Sequence, residues 1–325
     1  MQYEALAERV LGGERITRAE ATDLLKSPDD DLLLLLHAAS RVRRHHHGTL
    51  VKVHVLQNAK SDACPEDCGF CSQSTKFETQ VDTYAMQSAD TLVTAARRAV
   101  RAGASTYCMV TATRGPSAKE LREICDAVQT IRSEFPTLGI CTSLGLLKPG
   151  QAEALADAGV TRYNHNLETS QRFFGEVVST HQFKDRLTTV QSARSAGLEA
   201  CSGGIVGMGE TIEDRVELAF ALAELGVESV PVNFLDPRPG TPLQQAKRLS
   251  PNDALRTLAM FRFVHPSQDL RAAGGREVTL GSLQPLALHV ANSIFANGYL
   301  TTLGQGEDAD FRMIRESGFE GRRDG

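Results

Sequence analysis

The sequence predicts an α/β protein: a (β/α)8 TIM-type barrel with an N-terminal helical cap. Three observations lead there. From residue 50 onward, β-rich stretches alternate with amphipathic ones. Glycine recurs after a helical stretch and before the next strand, as it does where left-handed glycines stop helices ahead of parallel strands. Eight strand-like stretches can be counted and no Pro/Ser-rich linker divides them, which favours a closed barrel over a doubly wound sheet. The 325 residues suffice for one such barrel, and 41% hydrophobic residues supply a core. The expected division is a cap over 1–48, a barrel over 49–318 and a frayed tail over 319–325.

The cap reads as helical in "YEALAERVLGG", "TRAEATDLLKS" and "DDDLLLLLHAASRVRRHH", with Thr17 and Ser27 (followed by Pro28) as N-caps. "LVKVHVLQ" is the first strand. "SADTLVTAARRAVRAG" is a capped helix closed by Gly103, and "STYCMVTAT" is the second strand. "SAKELREICDAVQTIRSEF" is a helix, "GICTSLGL" a strand, and "PGQAEALADAG" a helix closed by Gly159. "RYNHNLE" is the fourth strand, and "FKDRLTTVQSARSAG" is a helix closed by Gly197. "EACSGGIVGMG" is the fifth strand, followed by a helix from Thr211 to Gly226. "ESVPVNFL" is the sixth strand, and a Pro/Gly loop separates it from a helix with Ser250 at the N-cap and Pro251 at the first helical position. "DLRAAGGR" is a strand, "LGSLQPLALHVA" a helix and "NSIFANGYLT" the last strand.

Composition excludes several classes. The formal charge of −5 argues against a nucleic-acid partner. The first twenty residues carry charge throughout and have no apolar h-region, so no signal peptide is expected. No apolar run has membrane-spanning length; "DLLLLLHAAS" reads as a buried helix. Seven Cys do not make a disulfide framework, and a cytoplasmic setting, where clustered Cys signals metal or catalysis, is expected. His45, His46 and His47 in "RVRRHHHG" point in different directions on a helix, so this segment reads as a solvated surface run.

"ACPEDCGFCSQS" carries the chemistry. Cys64, Cys68 and Cys71 crowd into eight residues just after the first strand. That is the C-terminal rim of a barrel, where active sites form. Structural zinc wants four closed ligands, usually from a second CxxC pair, and none follows. Three thiolates on a four-iron cluster leave one iron open. The Cx3Cx2C spacing with Phe70 before the third Cys resembles the radical S-adenosylmethionine superfamily. That resemblance implies a [4Fe-4S] cluster whose open iron chelates S-adenosyl-L-methionine. One electron from the cluster then releases a 5′-deoxyadenosyl radical, which removes hydrogen from unactivated carbon.

Cys108, Cys141 and Cys201 stand on three further strands, and a barrel brings them together if each points inward. As single residues they would be small buried hydrophobes; as a trio beside a cluster motif they form a candidate ligand set. Cys125, mid-helix in "LREICDAV", reads as core. "YNHNLETS", "CSGGIVGMGET", "GTPL", "AGGRE" and "ANSIF" then sharpen the resemblance, over about 50 to 315, to the biotin synthase family. The resemblance implies a second, [2Fe-2S] cluster held by Cys108, Cys141, Cys201 and Arg271. Read alone, Arg271 is a salt-bridge or carboxylate-binding residue, because a guanidinium is a poor ligand. His54 and Thr106, near that cluster, replace Ser and Arg found in some members.

Asn164, Asn166 and Glu168 alternate along "RYNHNLETS" and so share a face, a costly polar row unless it binds something. The resemblance implies that Asn166 and Glu168 surround the ribose of S-adenosylmethionine and that Arg186 pairs with its methionine carboxylate. It also implies that Ile205 and Val206 line the adenine. Asn164 joins the substrate contacts, Asn233 offers its amide to a cyclic urea, and Thr301 and Thr302 hold an aliphatic acid tail. Glu168 stands where many members have Asp. The implied reaction inserts sulfur between C6 and C9 of dethiobiotin, giving biotin, with the second cluster as the consumed sulfur donor. Implied partners are dethiobiotin, an electron donor such as flavodoxin or ferredoxin, iron–sulfur assembly proteins and a second copy in a homodimer. The rivals are another radical enzyme on this barrel, of maturase or methylornithine synthase type, and a non-enzymatic iron–sulfur protein for electron transfer or iron sensing.

Overall fold

The computed structural model of the chain describes residues 2–61, 64–296, 298–301 and 304–321. Its strands are β1 (Leu50–Lys60), β2 (Thr106–Thr111), β3 (Gly139–Ser143), β4 (Arg162–Asn164), β5 (Glu199–Cys201), β6 (Gly204–Val206), β7 (Ser229–Phe234), β8 (Asp269–Ala272), β9 (Ser293–Ala296) and β10 (Glu320–Gly321). Neighbours pair in parallel in the order β1-β2-β3-β4-β5-β7-β8-β9, and β9 returns to β1, with Lys52 opposite Ser293. The sheet is thus a closed barrel wrapped by helices. The fifth strand is interrupted: β5 and β6 are separated by Ser202 and Gly203, and both pair with β7. A Cβ on Gly203 would lie 1.8 Å from the Pro231 carbonyl oxygen, so only glycine lets the chain press against β7 at the break.

Side-chain alternation explains which residues reach the interior. Tyr107, Met109, Ile140 and Tyr163 pack outward against the helices Ala89–Arg101 and Ala118–Glu134. Their neighbours Cys108, Cys141 and Asn164 therefore point inward and line the barrel cavity. Leu270 and Ala272 likewise face the outer apolar core, leaving Arg271 inside.

The cap helices Gln2–Leu11, Arg18–Leu25 and Leu32–His47 share one apolar core with the barrel helix Pro251–Val264. Thr17 caps as expected: its hydroxyl accepts from the Glu20 amide at 3.2 Å and Glu20 accepts from the Thr17 amide at 2.8 Å. Ser27 does not cap the next helix; its hydroxyl turns back to the Leu24 carbonyl at 2.8 Å. The basic run at 41–48 is only partly solvated. Arg43 is fully buried, donating to the carbonyls of Gly48, Leu50 and Ala291, while His45 and His46 are exposed. Packing at the base of the barrel recruits a guanidinium there, because backbone carbonyls satisfy it without a carboxylate.

The predicted helix over 280–291 shortens to a 3-10 turn, Gly281–Leu283, and one α-helical turn, Gln284–Ala287. The frayed tail expected from 319 starts too early. Phe319 is 3% exposed in a small core with Val51 and Val53, and Glu320 and Gly321 pair with the start of β1.

Candidate active site

A cavity of about 340 Å³ opens at the C-terminal rim and descends into the barrel, a size suited to small-molecule binding. Cys64, Cys68, Phe70 and Cys71 lie on the loop after β1 and line its mouth. The loop is fastened at several points. The Cys64 amide donates to the Gln73 carbonyl at 3.3 Å, and the Cys71 amide to that of Cys68 at 2.9 Å. Asp67 accepts from the Ser179 and Thr180 amides at 2.9 and 3.1 Å.

Burial raises the pKa of all three thiols, that of Cys71 to about 11. Such thiols are not free nucleophiles at neutral pH; coordination to metal is what drives them to thiolate. Among the described residues no three Cys, His or acidic side chains close around a single ion. A donor set of three thiols on one loop has the soft chemistry that an iron–sulfur cluster takes.

Deeper in, the second sulfur set comes together. Cys108 and Cys141 are opposite one another on β2 and β3. The Cys141 thiol lies near those of Cys108 and Cys201, and the Cys108 thiol and burial raise its pKa. Cys201 is fully buried; Asn164 Nδ2 lies 3.2 Å from its sulfur, Ser229 Oγ 3.5 Å and Arg271 Nη1 3.8 Å. Arg271 also donates to Ser229 Oγ at 3.1 Å and to His54 Nε2 at 3.0 Å, and its buried Nε has no partner. The orphaned Nε and the three thiols fit a further group at this point. His54 bridges the set, with Nδ1 3.9 Å from the Cys108 sulfur. Burial and the neighbouring Arg271 push its pKa down to about 3, which keeps it neutral. Thr106 sits two residues before Cys108 on β2 and is buried.

The polar row lies between the two sulfur sets. Asn164, Asn166 and Glu168 all line the cavity, although β4 ends at Asn164 and Glu168 takes a left-handed φ of 69°. Burial raises the pKa of Glu168 against the pull of Arg186. Arg186 is not on a solvated face. It is buried and donates to Glu168 Oε1 at 3.1 Å and to the Asn166 carbonyl at 2.8 Å. Ile205 lines the cavity, but Val206 does not. Alternation along β6 turns Val206 into the apolar core, 1% exposed, which corrects its expected place against the adenine.

Asn233 faces the cavity with its amide partly engaged, donating to the Gly204 carbonyl at 3.1 Å and accepting from the Gly274 amide at 2.9 Å. One N–H and one lone pair remain for a ligand. Thr301 lines the mouth, its hydroxyl 3.3 Å from that of Ser72 in the cysteine loop. Thr302 lies outside the described residues. Sequence reasoning missed Tyr299, Glu66 and His181, which also line the cavity. Glu66 was visible only as an acid between two cysteines, and His181 as a polar residue ahead of a helix.

Cys125 stands apart on an outer helix, half-buried, its sulfur 3.7 Å from the Ala154 carbonyl. Cys125→Ser is expected to keep all bound iron and to cost roughly 1–2 kcal/mol of stability. Urea unfolding and iron analysis check this; loss of iron would place Cys125 among the ligands.

A model described as the radical SAM superfamily matches residues 59–222, and one described as the biotin and thiamin synthesis associated domain matches 231–320. A protein of Salinibacter ruber called biotin synthase is 57% identical over 318 residues, covering 98% of this chain and 88% of its own. A biotin synthase of Bacillus subtilis (strain 168) is 48% identical, covering 98% and 95%. Among solved structures, a methylornithine synthase superposes with a TM-score of 0.85 at 19% identity, over 97% of this chain and 96% of that one. A maturase of the [FeFe]-hydrogenase superposes with 0.82 at 15% identity, over 98% and 74%. These two share the barrel; the sequence matches lie elsewhere. No helix among the described residues is long and apolar enough to cross a membrane.

Proposed function

The chain belongs to the biotin synthase family, within the radical S-adenosylmethionine superfamily, and from that premise we propose how its residues divide the work of the reaction. It is a radical S-adenosylmethionine sulfurtransferase that inserts sulfur between C6 and C9 of dethiobiotin to give biotin, and it draws on a reductant. When bound, the [4Fe-4S] cluster with S-adenosylmethionine supplies the hydrogen-abstracting radical, and the [2Fe-2S] cluster supplies the sulfur.

Cys64, Cys68 and Cys71 hold the first cluster at the mouth. Cys108, Cys141, Cys201 and Arg271 hold the second inside. The observation carrying this reading is that Cys64, Cys68, Cys71, Cys108 and Cys141 line one cavity, that Cys201 is buried behind its lining residue Asn164, and that a polar row lies between the two sulfur sets. Asn166, Glu168 and Arg186 bind the ribose and carboxylate of S-adenosylmethionine, while Phe70 and Ile205 supply apolar walls. Asn164, Asn233 and Thr301, with Thr302, hold dethiobiotin. The enclosing strands exclude water from the reacting carbon. A cap over 1–48, a cytoplasmic location, a homodimer, iron–sulfur assembly partners and a flavodoxin or ferredoxin donor complete the proposal.

The test is anaerobic reconstitution with iron and sulfide, then turnover with S-adenosylmethionine and dethiobiotin. Mass spectrometry is expected to find biotin together with 5′-deoxyadenosine. Deoxyadenosine without biotin, from protein holding both clusters, would overturn the reading.

A further inference from the structure

Glu66 belongs to the loop that carries Cys64 and Cys68, yet it is buried and its carboxylate is engaged by Arg114, Thr180 and His181. Its Oε1 accepts from Arg114 Nη1 at 2.8 Å, and its Oε2 meets Thr180 Oγ1 and His181 Nδ1, the latter at 2.5 Å. On the other side of the same imidazole, His181 Nε2 accepts from Arg186 Nε at 3.0 Å. A guanidinium can only donate, so Nε2 carries no hydrogen and the ring's N–H is on Nδ1, aimed at Glu66. Both ring nitrogens are thus committed. The ring is further fixed edge-on to Phe174, with centroids 5.6 Å apart.

The effect on Arg186 is specific. Nε is held by His181, and Nη1 by the Asn166 carbonyl and Glu168. Nη2 is left facing Cys68, 3.8 Å from its sulfur, on the cavity wall. Without the His181 contact, the flexible side chain could rotate to give Glu168 both arms of its fork, the geometry a carboxylate prefers. Nη2 would then be withdrawn from the cavity.

We propose that Glu66 and His181 are positioning residues that tie the placement of the cysteine loop to the presentation of Arg186, and so set the affinity for S-adenosylmethionine. The proposal rests on Arg186 being the contact for the methionine carboxylate. The relay runs from loop carboxylate to imidazole to guanidinium, joining residues more than a hundred positions apart in the chain. A loop shifted away from its cluster-holding position moves Glu66, releases the imidazole and slackens Arg186. Both residues border the cavity, but both carboxylate oxygens of Glu66 and both ring nitrogens of His181 are already engaged, so each acts through the next.

The test measures equilibrium binding of S-adenosylmethionine to anaerobically reconstituted protein, with iron content determined on the same samples. His181→Phe keeps the ring packed against Phe174 and removes both hydrogen bonds. It is expected to weaken binding about 10- to 100-fold with iron content unchanged, the range usual for residues that orient a ligand-binding group. His181→Gln can accept from Arg186 and donate to Glu66, and should recover most of the affinity. Glu66→Ala combined with His181→Phe should bind no more weakly than His181→Phe alone, because the two residues act in series. Wild-type affinity in His181→Phe, loss of its iron, no recovery in His181→Gln, or additive losses in the double variant would each overturn the relay. Should His181→Phe fail to fold, the same comparison between Glu66→Ala and His181→Gln decides: the relay requires the first to bind more weakly than the second. Arg186→Ala separates the two layers. If it binds normally, the carboxylate reading fails; if it binds weakly while His181→Phe binds normally, only the relay fails.

Discussion

Cys64→Ala, Cys68→Ala and Cys71→Ala are each expected to form no 5′-deoxyadenosine from S-adenosylmethionine. The three thiols line the cavity mouth on one loop, and among the described residues no fourth cysteine joins them there. Cys125 is on an outer helix, and the other three cysteines are deep in the barrel. A cluster bound through three thiolates therefore has no spare ligand, and removing one leaves two irons open. Deoxyadenosine is measured by chromatography after anaerobic incubation with dithionite, against iron content. Product from any of the three, at more than a trace of the wild-type amount, would mean that the cluster is held elsewhere.

Cys201→Ala should give the opposite separation: deoxyadenosine is still formed to some extent, and biotin is not. Cys201 belongs to the inner set, and its loss leaves Asn164, Ser229 and Arg271 turned toward an empty position. The mouth loop makes none of those contacts, so cleavage of S-adenosylmethionine survives in principle. Arg271→Ala is a milder change. Three thiols still surround the inner site, and Arg271 is also occupied with Ser229 and His54. It is expected to keep a two-iron cluster and give a reduced, nonzero yield of biotin. One anaerobic turnover with ³⁴S only in the reconstituted two-iron cluster reads both. Unlabelled biotin from wild type would end the donor role, and full yield from Cys201→Ala would end the ligand role.

The parts legible in the sequence were those written in local pattern. Alternation in "TYCMV" and "GICTS" set Cys108 and Cys141 on the face opposite Tyr107, Met109 and Ile140, and the helices those three pack against make the cysteine face the interior. Capping at Thr211 and Ser250 and left-handed glycines at Gly159 and Gly226 marked helix ends where they are found. Local pattern failed where tertiary partners decide. Val206 looked like its neighbour Ile205, and only the break before β6 fixes which of the two faces in. Arg43 sat in a run of charge and is held by the nearby carbonyls of Gly48 and Leu50 and by that of Ala291, 248 positions on. Arg271 as a ligand was reached through family resemblance, since a lone arginine on a strand gives no such signal. The Glu66–His181 contact spans 115 positions and has no periodicity by which to find it.

Closure through the first strand has a consequence for how the molecule is made. β1 is synthesised long before β9, which pairs with one of its edges, and before β10, which pairs with its start. Until those segments appear, a strand rich in valine has an open edge, the kind of surface that templates mispairing. Every inner-set residue, from Cys108 to Arg271, is synthesised before that gap can shut. The barrel cannot close before β9 has been made, so its enclosure is a non-local step of the kind that folds slowly.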